Sequence, residues 1–295
     1  MTDHTLRVSI LGLAWRQGWR DFRAGELRLL MVAVMLAVGA LTAVGFFASR
    51  LEAALARDAG ALLGGDAVIA SDKPPPPAFA ERAKALGLRQ ATSTTFPSMA
   101  RAPDDKGGEA RLVSVKAVSA AYPLRGVLRL RDRVDGPVAD LAAAPPPGTV
   151  WVEAGVLDSL QLNLGDALLL GESRFTIGRL IVQEPDRGSG FLGFSPRVLM
   201  NEADLAATAL VQPASRVTWR LMVAAPGPRG SADTGVREFL RWSDAQVADN
   251  RLRGVRVESL QSGRPEMQQT LDRAERFLNL VALLAALLAA VAVAI

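Results

Sequence analysis

The chain has 295 residues, 34 basic and 30 acidic side chains, one histidine and no cysteine. These counts exclude disulfides and thiolate chemistry within this sequence, and the lone His4 argues against histidine-based catalysis and zinc binding. Since no local motif indicates other chemistry either, we expect no catalytic, metal or cofactor site. Its mean hydropathy of +0.19 is high for a soluble protein and low for a multi-span bundle. No basic block with interleaved aromatic residues occurs, so nucleic-acid binding has little support and no nucleic-acid partner is expected.

Residues 1–28 are interpreted as a cytoplasmic N-terminus that contains an amphipathic helix. Leu11, Trp15, Trp19 and Phe22 recur at helical spacing, and arginines lie on the adjacent face. Aromatic rings beside guanidinium groups are typical of a helix in the headgroup layer of a membrane. The residues predicted to face the membrane interface or a cytoplasmic partner are Trp15, Arg16, Trp19 and Arg20.

Two apolar runs are predicted to be transmembrane helices, at residues 29–48 and 277–295. About 20 apolar residues suffice to cross a hydrocarbon core of about 30 Å. Arginines precede the first run, so the positive-inside rule predicts a cytoplasmic N-terminus and a periplasmic insert. A cleavable signal peptide is disfavoured because its apolar region is shorter than this run.

Residues 49–276 are predicted to form one periplasmic α+β domain on a helical stalk. Ser49–Leu63 and Glu266–Arg276 retain helical patterns next to the two spans and form the predicted stalk. Two β-α-β units are expected at the two ends of the insert, and together they predict a split β-α-β layer. Their elements are Asp66–Ala70, Pro77–Leu86 and Leu88–Phe96, then Arg216–Val223, Thr234–Ala248 and Gly254–Leu260.

The middle of the insert, at about residues 122–213, is predicted to be a β-rich subdomain inserted into that layer. Ala167–Leu170 and Arg174–Ile181 flank a Gly-Glu-Ser turn and are expected to form a hairpin. Before them, Arg111–Val118 alternates as a strand. The proline-rich stretch 142–148 and the stretch 226–230 are predicted loops.

Three local motifs contain residue types that occur in chemical sites, but each is interpreted as ordinary structure. The glycines at 188, 190 and 193 lack the lysine-serine ending of a phosphate-binding loop. Glu184-Pro185-Asp186 offers two carboxylates, but this tripeptide is more typical of a turn with solvated charges. Ser189 and Ser195 have no histidine partner in the insert, which excludes a serine-histidine hydrolase. Trp219 is interpreted as a core or sheet-face aromatic.

Longer stretches of the chain resemble a known family. Ser114–Val118 with Tyr122–Gly126, then Ile181–Asp186, Phe194–Asn201 and Gln212–Arg220, are similar to the FtsX/MacB-like permeases of ABC transporters, and most to the YbbP-type subgroup. The signature residues are Tyr122, Pro123, Gln183, Glu184, Pro185, Pro196, Arg197 and Trp219.

The resemblance implies a non-enzymatic permease subunit of a bacterial inner membrane, multi-pass, with a MacB-like periplasmic domain. Such permeases pair with a separate cytoplasmic ATPase, act as dimers and transmit helix motion across the lipid membrane. Export or extraction of lipids or other hydrophobic compounds is the implied transport. Family members continue beyond the second span, so the sequence is interpreted as an N-terminal fragment whose second span is truncated at Ile295.

A second hypothesis remains open from the residues alone. A domain tethered by two helices also suits a membrane-anchored extracytoplasmic sensor or ligand-binding domain, which would carry a signalling module after its second span.

Overall fold

The structure is a computed structural model that describes residues 63–187, 195–212, 215–227, 234–249 and 252–259, with isolated helical positions between 20 and 50 and between 273 and 280. Among these residues no helix is long and apolar enough to cross a membrane. The two predicted spans, the stalk and the interfacial helix lie outside the described residues, apart from single helical positions such as Arg20, Arg50 and Phe277. These elements stay predictions.

The chain divides into two compact units, of which Leu55–Arg264 contains the sheet. Its strands and helices follow in this order: β1 (Ala67–Ser71), α1 (Pro77–Ala85), β2 (Arg89–Arg101), β3 (Ala110–Val118), β4 (Leu128–Arg131), β5 (Ala139–Leu141), β6 (Thr149–Glu153), α2 (Ala154–Leu160), β7 (Ala167–Leu170), β8 (Ser173–Gln183), β9 (Arg197–Asn201), β10 (Thr218–Ala224), α3 (Thr234–Ala248) and β11 (Val255–Ser259).

Two interlocked split β-α-β units form one side of the sheet, as the sequence predicts. The strands lie in the order β11-β1-β10-β2, so each unit receives a strand of the other between its own two strands. Helices α1 and α3 cover one face of this layer. Phe79 of α1 and Trp242 of α3 meet edge to face at 5.3 Å between ring centroids, and Phe239 is buried beneath them.

A ring of six strands forms the other side of the unit, in the order β2-β3-β9-β6-β8-β7 and back to β2. Aliphatic residues from these strands and from α2 fill its interior, among them Val115, Val152, Leu168 and Ile177. The pairing of β2 with β7 at Ala100–Leu170 and Arg101–Leu169 closes the ring. The predicted hairpin is therefore confirmed as β7–β8 and forms part of this closure.

Strand β2 continues to Arg101, whereas the sequence predicts its end at Phe96. Pro97 lies within it, opposite Ser114 of β3. The Ser114 amide donates to Pro196 O on the β9 side, so Pro97 and Ser114 exchange no hydrogen bond. The Pro97 nitrogen therefore points to the side of β2 opposite β3. On that side the pairing with β10 ends at Thr95 and the pairing with β7 begins at Ala100, so a proline at 97 costs no ladder hydrogen bond.

The strands between residues 128 and 201 lie together on the ring side and are hydrogen-bonded to the first layer through β3 and β9. The predicted subdomain limits, at about 122 and 213, stay predictions. Five elements in this half were not predicted: β4, β5, β6, α2 and β9. They are short, and a fully buried strand such as β9 shows no alternation that distinguishes it from a loop.

A second hydrophobic core lies on the outer face of β3 and β9 and extends under β1 and β10. Val68, Leu199 and Met222 contribute from these strands. The segment after β3 covers it with Tyr122, Leu124 and Leu128, and β8 contributes Ile181. Charged side chains are buried beside this core.

Candidate functional site

Lys116 lies in the middle of β3 with 2% of its side chain exposed. Val115 and Ala117 point into the ring, so strand alternation directs Lys116 to the outer core. A lysine is almost never fully buried unless its charge is compensated. This residue therefore requires partners from the segments that cover β3.

Three acceptors satisfy the Lys116 ammonium group. Its Nζ donates to Glu184 Oε1 at 2.6 Å, to Asp186 Oδ1 at 2.7 Å and to Tyr122 Oη at 3.1 Å. The phenol of Tyr122 in turn donates to Asp186 Oδ1. Every donor of the ammonium group is thus used, and the loops after β3 and β8 are tied to the same strand.

Arg197 of β9 completes the charge balance. Its Nε donates to Glu184 Oε2 at 2.8 Å and its Nη1 donates to Ser114 Oγ at 2.5 Å. The Glu184 carboxylate therefore bridges two cations on neighbouring strands. Two cations and two carboxylates make a neutral set, which we call the buried charge cluster: Lys116, Tyr122, Glu184, Asp186 and Arg197.

Burial and charge shift two pKa values within the cluster. Burial raises the pKa of Tyr122 well above its ordinary value, and the neighbouring Asp186 and Glu184 carboxylates raise it further. Burial alone would raise the pKa of Asp186, but Lys116, Arg220 and the Tyr122 hydroxyl together hold it below its ordinary value. At neutral pH the phenol is therefore protonated and the Asp186 carboxylate is charged.

A second ion pair extends the cluster toward α2. Glu153, the last residue of β6, accepts from the Arg197 backbone N–H at 2.9 Å and forms an ion pair with Arg187. Arg187 Nη2 also donates to the Ser195 carbonyl at 3.3 Å. Burial lowers the pKa of Arg187, as does the nearby Arg197 charge. These contacts fix the two ends of the segment that joins β8 to β9.

The predicted turn is present at Pro185 and Asp186, but the prediction that the charges of Glu184-Pro185-Asp186 are solvated is wrong. Glu184 is 5% exposed and Asp186 is 2% exposed, with Pro185 buried between them. The reason is that Lys116 on β3 and Arg197 on β9 would otherwise be buried without a counter-charge. Their positive charges favour placement of both carboxylates in the core. Because these carboxylates are buried and bonded to cations on two strands, the arrangement cross-links β3, β9 and the segment after β8.

The structure brings Tyr122, Glu184 and Arg197 together, and three further signature residues flank them. Pro123 is buried beside Tyr122, Gln183 is exposed at the end of β8, and Pro196 accepts from the Ser114 amide. Trp219 lies on β10 and packs against the core of the ring, as predicted for a sheet-face aromatic. Trp15, Arg16 and Trp19 lie outside the described residues, and Arg20 is a single described helical position.

Lys116 and Asp186 belong to sequence stretches that resemble the family, but the sequence did not predict a site at either residue. The available signal was Lys116 itself, one of four lysines in the chain, in the apolar run Val113–Val118. A charge in the middle of such a strand indicates a buried partner. Within the part of the chain that the structure describes, no group of three or more acidic, histidine or cysteine residues could hold a metal ion.

No family model matches the chain. The chain is 30% identical over 277 residues to YbbP, an ABC transporter permease of Escherichia coli (strain K12). The match covers 94% of this chain and 32% of that protein, so the chain spans about a third of the relative's length. This relationship confirms the predicted resemblance to ABC transporter permeases of the YbbP type.

Two solved structures are also similar. A domain of a permease protein from Porphyromonas gingivalis matches with a TM-score of 0.36 and 16% identity, over 66% of this chain and 89% of that chain. The extracellular domain of the noncanonic ABC-type transporter YknZ from Gram-positive bacteria matches with a TM-score of 0.40 and 9% identity, over 65% of this chain and 100% of that chain. Neither likeness is close enough to bear on function.

The cluster should depend strongly on Lys116. Lys116→Met removes one cation and leaves the Glu184 and Asp186 charges in the core, so we expect a loss of about 3–5 kcal/mol in the free energy of unfolding. The double variant Lys116→Met/Glu184→Gln restores charge neutrality and should recover part of this loss. Urea unfolding of the compact unit Leu55–Arg264, followed by tryptophan fluorescence, measures both.

The matched control is Lys106→Met. Lys106 pairs with Asp166 at 3.3 Å with 44% of its side chain exposed, and an ion pair of this kind contributes about 0–1 kcal/mol. Equal effects of the two single lysine variants, or a double variant no more stable than Lys116→Met, would contradict a neutral buried cluster.

Tyr122 offers a direct spectroscopic test because it is the only tyrosine in the chain. Its raised pKa means that the folded state favours the neutral phenol. The contribution of the neutral phenol to the free energy of unfolding is fully present below about pH 10, the pKa of tyrosine in the unfolded chain. It is lost as the pH rises from there through the higher pKa of Tyr122 in the folded state. We therefore expect tyrosinate absorbance in native protein only well above pH 10, with alkaline unfolding accompanying it. In urea the same residue should titrate near pH 10, and native titration at that pH would refute the buried phenol.

Proposed function

We propose that this chain, a relative of an ABC transporter permease, acts as part of the permease subunit of an ABC transporter. The main support for this proposal is the 30% sequence identity to YbbP, which covers 94% of the chain. A relationship that runs through the whole described domain and both flanking segments favours a shared role over the reuse of one domain on another protein. The alternative of a sensor domain has no such support.

The proposed arrangement places the unit Leu55–Arg264 outside the bacterial inner membrane, with the chain crossing the membrane at residues 29–48 and 277–295. A separate cytoplasmic ATPase supplies hydrolysis, and a second permease copy completes the transporter. This chain acts as a non-catalytic subunit without a cofactor of its own. Helix motion reaches the domain through the stalk segments Ser49–Leu63 and Glu266–Arg276, in support of export or extraction of lipids or other hydrophobic compounds.

The described domain supports this mechanical role by its construction. The strands next to the flanking segments are β1 and β11, which pair directly with each other. Residues 63–66 therefore precede β1 at the end of the strands where Ser259 also lies, in a single sheet that continues through β10 and β2 into the ring. Motion applied at either flanking segment would act on the same sheet.

Association with an ATPase tests the proposal. The tagged protein, at its full genomic length, is co-expressed with candidate ABC ATPases from the same genome, and ATP hydrolysis of the purified material is measured. We expect one ATPase to co-purify and to hydrolyse ATP above the rate it shows alone. An ATPase with an inactivated catalytic carboxylate is the control. No association and no added hydrolysis with any candidate would reject the permease role.

Membrane topology is tested with single cysteines, because the sequence contains none. Asp105→Cys lies in an exposed turn between β2 and β3, and Thr2→Cys lies in the predicted cytoplasmic N-terminus. In spheroplasts, a membrane-impermeant maleimide should label Asp105→Cys at once and Thr2→Cys only after permeabilisation. The cysteine-free protein is the blank. Labelling in the reverse order would place the domain in the cytoplasm.

A further inference from the structure

The chain enters the sheet through Gly64, where two neighbouring segments contact it. Leu63 is helical, and Gly64 follows in the left-handed region at φ +69°, a conformation typical of a helix C-terminus. The Gly64 carbonyl accepts from the backbone N–H groups of Leu124 and Arg125, each at 3.2 Å. A Cβ at Gly64 would lie 3.2 Å from Asp186 Oδ2, so the backbone here packs directly on the buried charge cluster.

Arg125 and Asp66 form a second connection, two residues further along the chain. Arg125 Nε and Nη2 donate to the two carboxylate oxygens of Asp66, at 3.0 and 2.8 Å. The same guanidinium group donates to the carbonyls of Ala225 and Gly227, and the Ala225 amide donates to Asp66 Oδ2. Arg125 therefore joins the chain entering β1 to the chain leaving β10. A bidentate pair of this kind fixes orientation as well as distance.

The segment that carries Arg125 is itself anchored in the ring. Tyr122, three residues earlier, donates to Asp186 and accepts from Lys116 of β3. Glu184 then connects Lys116 to Arg197 of β9. Hydrogen bonds and ion pairs thus lead without a break from Gly64 and Asp66, through residues 122–125, to two strands of the ring.

We propose that Arg125 is a coupling residue, which transmits displacement of the first stalk segment at Leu63 to the ring through Asp66 and the buried charge cluster. This inference rests on the proposed transport function. A backbone entering a sheet through two consecutive glycines would otherwise bend at Gly64 and Gly65, since glycine readily changes its backbone angles. Arg125 contacts the Gly64 carbonyl through its backbone N–H and the Asp66 carboxylate through its side chain, so its contacts lie on either side of Gly65 and oppose a bend there.

The test measures movement of the ring relative to the membrane. The full-length protein with its ATPase is reconstituted in vesicles that contain a lipid-linked acceptor dye, and a donor dye is attached at Asp105→Cys in the turn between ring strands β2 and β3. We expect ATP with vanadate to change energy transfer in the otherwise unchanged protein. Arg125→Gln should lose this change while the complex still assembles. Arg125→Lys keeps the charge without the bidentate geometry and should lose it as well.

The matched control is Arg82→Gln, which removes a partly exposed ion pair with Glu238 at 2.6 Å on the helical face and should leave the change intact. Tyrosinate absorbance of the 295-residue chain alone, in which Tyr122 is the single tyrosine, verifies that the cluster persists in each variant. The coupling role would be overturned if both Arg125 variants kept the full change in energy transfer, or if Arg82→Gln lost it equally. It would also be overturned if both Arg125 variants unfolded, or if the starting protein hydrolysed ATP without any change in energy transfer. Failure of the ATPase to associate would instead reject the proposed function, and this inference with it.

Discussion

The buried ammonium group of Lys116 is the constraint from which the rest of the domain's outer core follows. A charge at this depth is tolerated only with complete compensation, and the compensation comes from two segments distant in sequence, the stretch after β3 and the stretch after β8. Because Glu184 also accepts from Arg197, the same carboxylate links β3 to β9. An aliphatic core would bury similar area without fixing which loop covers which strand.

The split β-α-β layer could be predicted from sequence because its signals are local. Helix α3 has an amphipathic pattern that gives its observed bounds, Thr234–Ala248, and β1 and β11 lie within a residue or two of their predicted ends. The ring was predictable only in part. Its closure depends on two residue pairs between β2 and β7, which are far apart in sequence. It also requires β2 to continue past an interior proline, which a local rule treats as a strand end.

The charge cluster escaped prediction for a different reason. Glu184-Pro185-Asp186 has the composition of an exposed turn, and nothing within the tripeptide indicates that both carboxylates are buried. Their burial is decided by Lys116 and Arg197, which lie on other strands. Only the anomaly of a lysine among valines and alanines pointed to it. Family resemblance, by contrast, located Tyr122, Glu184 and Arg197 without giving their physical role.

Under the proposed function the cluster would have a mechanical role. A domain that receives force from flanking helices needs its entry point joined firmly to its core, and the contacts of Gly64, Asp66 and Arg125 would provide that joint. The neutral charge set behind them resists separation of the covering segments, since parting any cation from its carboxylate would leave both charges in a poorly solvated environment.

Native-state hydrogen exchange tests most directly whether the cluster makes the covering segments and the sheet one cooperative unit. The amides of residues 119–128 and 182–187 and those of β3 would be followed by mass spectrometry in increasing urea. The account predicts that all three groups exchange through the same opening, with the same free energy and the same urea dependence. Exchange of the covering segments through a lower-energy local opening, while β3 stays protected, would contradict it.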